Sequence, residues 1–388
     1  MAYLLKKVLW VFGIIILVYW CPVNASAPAN DFQSNNYAAE EFEFLSEYVP
    51  SEVFPEIIES EDIEAEIVEP ETIEAEIIAP EIIEPEVLEI VISAAGDCTL
   101  GGDLRLGPNG FMRELYNQDN DYTYFLRNVA HIFNTDDLTI VNMEGTFADP
   151  GSYSDKTFIL RGPPELVNVF TSSGVDAVTI ANNHSMDYLR AGYDATVSVL
   201  GEADIVYFGD EYMAIVEVKG IHIGMFGYTL WGSNRTVKNK IDDAIRLLRE
   251  EGADIVIAYY HWGIERDYYP LDYQIDIAHH TIDSGADLVL ASHPHVLQGI
   301  EEYDGKNIVY SLGNFCFGAN NNPDDKDTMI FQQTFVFTDG VLTGTSTNII
   351  PCSISSVRTR NNYQPTILEG AEAERVLAKI ARLSEIFR

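Results

Sequence analysis

Beyond residue 87 the chain alternates short apolar runs with longer segments whose apolar positions recur every three or four residues. The runs at 87–95, 138–141, 177–180, 254–260 and 286–290 are mostly apolar, the pattern of buried strands. Helical spacing marks 122–133, 164–173, 188–202, 237–251 and 271–283. Two strands within 214–228 are expected to turn through Lys219-Gly220, another covers 308–310, and β-rich sequence runs on to Cys352. An amphipathic helix is expected over 371–387. This alternation predicts a layered α/β domain.

Five of the apolar runs end in polar residues of one chemical kind. They lead into Asp97, Glu144, Asn183-His184, His261 and the pair His293/His295. In open α/β sheets, ligands gather beyond the carboxyl ends of strands. Carboxylate, amide oxygen and imidazole together suit a divalent cation. Pro294, between two histidines, is expected to hold His293 extended and so limit the freedom of both rings. Each residue also has a purely structural reading. Asp97 follows a glycine and suits a turn, Glu144 could pair with Arg161, and Asn182-Asn183 suits a left-handed turn. His261, beside Trp262, could be a satisfied buried histidine. His131, His222, His279 and His280 offer no site signal.

The N-terminal quarter differs. Lys6 and Lys7 precede an apolar run over 8–20, and Ala25-Ser26-Ala27 follows, so residues 1–27 are expected to be a signal peptide or signal anchor. Residues 28–87 repeat a ten-residue Pro/Glu pattern, at 64–73, 74–83 and again from Glu84, and are expected to be a disordered acidic linker. The whole chain carries 61 Asp+Glu against 23 Lys+Arg, a formal charge of -38, which argues against binding nucleic acid. Cys21, Cys98, Cys316 and Cys352 show no CxxC spacing, so no disulfide framework is expected. The folded domain is expected over 88–352, followed by a tail at 353–388.

Six motifs in order, GD at 96–97, NMEG at 142–145, ANNHSMD at 181–187, HWGIE at 261–265, ASHPHVLQG at 291–299 and YSLGNFCF at 310–317, resemble the bacterial CapA family. Its members are poly-γ-glutamate capsule synthesis proteins related to the calcineurin-like metallophosphoesterases. The resemblance covers about 88–320 and implies a four-layer αββα sandwich of the metallophosphoesterase type. It implies two divalent cations (Mn, Fe, Zn or Mg) held by Asp97, Glu144, Asn183, His261, His293 and His295, with His184 as proton donor. Asp187, Glu265, Arg161 and Asn314 are expected to support these groups or face substrate. One departure stands out: the wider superfamily reads Asp-x-His on its first strand, and here the third position is Thr99. The implied partners are subunits of a membrane polymer synthase and poly-γ-glutamate or another anionic polymer. The implied place is the extracellular side of the cell membrane, anchored or secreted. Two other functions fit the same motifs, a non-catalytic assembly subunit and a general extracellular phosphoesterase.

Overall fold

A computed structural model describes residues 9–11, 14–20, 85–105 and 107–388. The acidic repeat and most of the expected leader lie outside these residues. Everything described belongs to one compact unit, in which 85–388 is continuous.

Two twisted sheets lie face to face. One runs in the order Val206–Phe208, Ala177–Thr179, Leu138–Met143, Val87–Thr99, Asp327–Thr338, Val341–Ser353 and Thr366–Ile367, with Asn314–Phe317 pairing onto Val87–Thr99. The other has Tyr212–Val218, Ile221–Leu230, Ile255–Trp262, Leu288–Ser292, Lys306–Val309 and Ile300–Tyr303 in succession. The strands Leu9–Val11 and Ile14–Trp20, within the expected leader, add to its first edge by pairing on Tyr212–Val218. Without them Tyr212–Val218 is that edge.

Side-chain alternation along the central strands builds the layers. Ile255, Ile257 and Tyr259 face the core between the sheets. Their neighbours Val256, Ala258 and Tyr260 face the helices Arg235–Glu250 and Asp272–Asp283 on the outer side. On the other sheet, Ile90, Ile92 and Ala94 face inward. Ala95, Val141 and Val178 face the helices Gly110–Asn117 and Leu189–Glu202 and the loops between them. Three apolar layers thus separate four of secondary structure, the αββα sandwich expected. Each fully buried Ile or Val contributes about 1.5–3 kcal/mol of apolar transfer. The Arg235–Glu250 helix illustrates the local rules. Asn234 accepts the Val237 N–H as N-cap, Ile241, Ala244, Ile245 and Leu248 form its buried stripe, and Gly252 (φ +97°) follows its end.

Three local expectations are corrected. The helix expected over 122–133 is only a 3-10 turn, Tyr122–Tyr124, and one α-turn, Ala130–Phe133. Its aromatic, β-branched start is a poor helix former, and burying Phe125, Leu126 and Val129 in the helix-side core decides the backbone instead. The helix Gly110–Asn117, capped by Asn109, was not expected. The region after 352 is not a tail. Thr366–Ile367 pairs with the long C-terminal hairpin, and the helix Gly370–Leu383 inserts Val376 and Ile380 into the core between the sheets.

At the amino ends of four parallel strands an aspartate ties one strand to the next. Asp137, Asp176, Asp254 and Asp287 accept the backbone N–H of Val91, Thr139, His222 and Val256, at 2.8–2.9 Å. Each also donates its own N–H to the carbonyl of that same residue. Among the described residues no helix is long and apolar enough to cross a membrane.

Candidate metal centre

The carboxyl ends of the strands carry the polar residues singled out in the sequence. Asp97 sits near the end of Val87–Thr99, where Gly96 permits an unusually close approach. A Cβ there would stand 1.9 Å from the Gly313 carbonyl oxygen, and the Asp97 N–H donates to that oxygen at 2.9 Å. Glu144 follows Leu138–Met143, Asn183 and His184 follow Ala177–Thr179, His261 is in Ile255–Trp262, and His293 and His295 follow Leu288–Ser292. One sheet therefore supplies the carboxylates, the amide and His184, and the other supplies three imidazoles.

These groups converge. His261 Nε2 lies 3.7 Å and His295 Nε2 3.8 Å from Glu144 Oε1. His293 Nδ1 is 3.0 Å from His261 Nε2, which is 2.7 Å from Asn183 Oδ1. Nδ1 of His295 stands 3.0 Å from Asp97 Oδ2 and 2.9 Å from Asn314 Oδ1. Two acceptors on Nδ1 fix its proton there and aim Nε2 at Glu144. The backbone is strained to reach this: φ is +100° at His293 and +58° at His295. His293 is not extended, as Pro294 had led us to expect. Its amide instead turns toward Asp97 Oδ2 at 3.4 Å, and the Pro294 carbonyl accepts the Arg266 N–H at 2.7 Å. Left-handed non-glycine residues of this kind cost roughly 1–3 kcal/mol each and concentrate at functional sites.

The electrostatics call for positive charge. Burial pushes Asp97 up, but the hydrogen bond and charge of His295 and the charge of His261 outweigh it and hold Asp97 at about 2. Glu144 is pushed up to about 7 by burial. Burial opposes protonation of His295, yet Glu144 and Asp97 raise it to about 10. Burial lowers His293 to about 4 and takes His261 well below the ordinary imidazole range. Glu144 Oε1 is buried with no hydrogen-bond partner. It is the kind of orphaned acceptor that a bound cation satisfies. Ligand atoms of Glu144, His293 and His295 lie within 4.8 Å of one another, so these three fit one divalent ion. Asp97, Asn183 and His261 adjoin them, with His261 and Asn183 facing each other. Thr99, at the departing position, donates its hydroxyl to Glu144 Oε2 at 3.3 Å.

His184 lies beside this group and lines a cleft of about 360 Å³ together with Glu144, Glu265, His295 and Asn314. Its Nδ1 is 2.6 Å from Asp187 Oδ2, an oxygen that also accepts the Leu160 N–H at 2.7 Å. This holds the Nδ1–H tautomer and leaves Nε2 free. Asp187 and Asn314 thus contact His184 and His295, and Glu265 lines the cleft. Arg161 does not join the site. It donates to the Ala148 carbonyl at 3.0 Å, lies over the Tyr188 ring, and leaves Glu144 to other partners. An isolated backbone bridge pairs Arg161 with Gly102.

The family model for the bacterial capsule synthesis protein PGA_cap matches residues 91–319. The chain belongs to this family. The matched PGA_cap region spans Asp97 to Asn314 and thus every group in the centre. Capsule biosynthesis protein CapA of Bacillus anthracis is 29% identical over 246 residues, 56% of this chain and 59% of that protein. PGA biosynthesis protein CapA of Bacillus subtilis (strain 168) is 32% identical over 210 residues, 49% of this chain and 55% of that protein. A probable polyglutamine synthesis accessory protein of Mycobacterium tuberculosis (strain ATCC 25618 / H37Rv) is 26% identical over 207 residues, 46% and 54% of the two chains. The chain thus spans somewhat over half the length of these PGA_cap relatives.

Some site residues were missed in the sequence. Asn142 donates to Asp97 Oδ1 at 2.7 Å and lies 3.3 Å from His261 Nδ1. Asn182 donates to Asn142 Oδ1 and the Met143 carbonyl, and its own oxygen accepts the His184 N–H. The Tyr259 hydroxyl, under the centre, donates to the Ala95 carbonyl of the facing sheet at 3.1 Å and meets Ser292 Oγ at 2.8 Å. Lys156 bonds Asp187 Oδ1 at 2.8 Å. The signal for Asn142 was its place two residues before Glu144 at a strand end. Nothing near Lys156 in the sequence marks it.

Proposed function

We propose that this chain is an exported accessory protein of polyglutamate capsule synthesis whose centre is a divalent-metal hydrolase site acting on an amide or phosphoester bond. The observation that carries it is Glu144 Oε1, buried between the rings of His261 and His295 with no hydrogen-bond partner. A bound divalent cation supplies Lewis-acid polarisation of the bond and lowers the pKa of a nearby water. Glu144, His293 and His295 would hold it, with Asp97, Asn183 and His261 placed for a second ion. With its ring protonated at Nε2 as well as Nδ1, His184 would deliver the Nε2 proton to the leaving group and return to the Nδ1–H tautomer, while Asp187 keeps the ring oriented. Asn314 and Asp97 keep Nδ1 of His295 protonated and its Nε2 aimed inward. The family membership and the names of the relatives support the polymer as substrate or cargo. The expected leader supports a place outside the membrane, next to a polymer synthase.

Metal analysis of the purified protein, with a screen of simple phosphoesters and poly-γ-glutamate, tests this function. Bound metal and turnover of either substrate class are expected. A protein that takes up no Mn, Fe, Zn or Mg would end the hydrolase assignment. A second function, a non-catalytic assembly subunit, draws on Thr99, which supplies a hydrogen bond to Glu144 where the superfamily supplies an imidazole. It predicts that His184→Ala and His295→Ala both support polymer production as the parent does.

A further inference from the structure

We propose that Arg266 reads the substrate's carboxylate, binding the free acid that a γ-linked glutamate unit presents beside its amide bond; the assignment rests on polyglutamate being the ligand, as proposed above. In such a polymer the free carboxylate sits on the carbon bonded to the amide nitrogen. A cation on the cleft wall near the centre is therefore the group that can see it.

Among the described residues Arg266 is the only Lys or Arg lining the cleft, whose acidic residues are Asp103, Glu144, Glu265, Asp324 and Asp325. Several of these acids are already engaged. Asp103 pairs with Arg105, and Asp325 with Lys379 and the Tyr268 hydroxyl. Arg266 is the reverse case. Arg105, Arg127, Arg190, Arg246, Arg249, Arg358, Arg360 and Arg375 all hold ion pairs. The guanidinium of Arg266 makes neither an ion pair nor a hydrogen bond among the described residues, in a chain of charge -38. Among the described residues Arg113, Arg235, Arg382 and Arg388 also hold no ion pair, but none of them lines the cleft.

Its backbone explains the placement. Arg266 has φ +63°, and its N–H donates to the carbonyl of Pro294, the residue between His293 and His295. The turn that carries two of the candidate metal ligands thus also anchors the backbone of Arg266 beside the centre. Arginine presents a planar fork that takes a carboxylate through two parallel hydrogen bonds. One such fork in an otherwise acidic wall accepts a single carboxylate and disfavours its neighbours along the polymer. The cleft should therefore take the polymer one unit at a time rather than as an extended polyanionic run.

The test is calorimetric binding of two probes to the full chain: tri-γ-glutamate, and the same trimer with its free acids converted to carboxamides. The parent should bind the acid about ten- to a hundredfold more tightly, the range of a charge-assisted bidentate pair. Arg266→Gln should abolish the preference, and Arg266→Lys, which keeps the charge but not the fork, should keep only part of it. Thermal midpoints equal to the parent's should show that the variants fold. If Arg266→Gln folds and still prefers the acid as the parent does, the inference is overturned while polyglutamate as ligand stands. If the parent binds neither probe, polyglutamate falls as ligand and the inference with it, and metal content with phosphoester turnover then judges the hydrolase centre separately.

Discussion

Both ends of the strands carry acids, and the two sets behave in opposite ways. At the amino ends Asp137, Asp176, Asp254 and Asp287 each accept a backbone N–H from the neighbouring strand. These carboxylates are satisfied by the fold itself and pin one strand to the next. At the carboxyl ends Asp97 and Glu144 face imidazoles, and one Glu144 oxygen has no partner. A carboxylate spent on backbone amides serves structure, whereas one left facing rings and an orphaned acceptor leaves room for a cation. Asp254 is exposed and Asp287 buried, yet both bind backbone amides, so the identity of the partner is what separates structural from functional acid.

The sharpest way to break this contrast is at the centre. His295→Ala should lose both bound metal and hydrolysis. His184→Ala should keep metal while the rate falls roughly 10²–10⁴-fold, the range for a missing general acid. Metal loss from His184→Ala, seen by elemental analysis, would show that this histidine is a ligand. A smaller effect is expected from Asn142→Ala, which removes the donor to Asp97 and the neighbour of His261. Metal affinity should fall about 10–100-fold, as for other residues that orient ligands, with the thermal midpoint little changed. An unchanged affinity in a competitive chelator titration would remove Asn142 from the centre.

At the opposite end the expected readout changes from metal to stability. Asp287 Oδ2 accepts from Val256 N and from Arg249. Asp287→Ala leaves that buried amide unpaired and should cost about 1–3 kcal/mol in denaturant unfolding while metal content stays at the parent's level. Loss of metal would mean that the two ends are coupled. A pH-dependent effect concerns Asp136, pushed up to about 7 by burial, with one oxygen buried and without a hydrogen-bond partner. The unfolded chain loses this proton near pH 4, the folded chain near pH 7. The stability tied to that proton is thus complete below about pH 4 and lost as pH rises through 7. Asp136→Asn, which does not titrate, should gain on the parent from pH 5 to pH 8. A constant difference in midpoint across that range would contradict the shift.

Much of this was legible from residue order. Buried strands read as mostly apolar runs, and the candidate ligands stood where those runs end. What escaped depended on contacts between distant segments. Asn182 read locally as a turn former and Asn142 only as part of a strand-end motif, and only the meeting of three strand ends shows their amides holding Asp97 and His184 in place. Arg161 read as a partner for Glu144 because charge was visible and distance was not. The last 36 residues read as a tail because an amphipathic helix does not reveal which core it enters. The strained φ of His293 went unforeseen because the preference set by Pro294 is local, whereas the pull of Asp97 comes from the other sheet.

The strand that carries Asp97 is flanked by Leu138–Met143 on one side and by Asp327–Thr338, more than two hundred residues later, on the other. Its opposite sheet brings His261, His293 and His295 from the second half of the chain. A polypeptide emerging from the ribosome or crossing a membrane therefore carries both halves of the centre well before it can close the sheet that aligns them. Such long-range pairing forms late in folding, after the entropy of large loops has been overcome. A cation that needs the assembled centre arrives after the rate-limiting closure. It acts on the finished sandwich, slowing its opening while leaving the speed of assembly as it was.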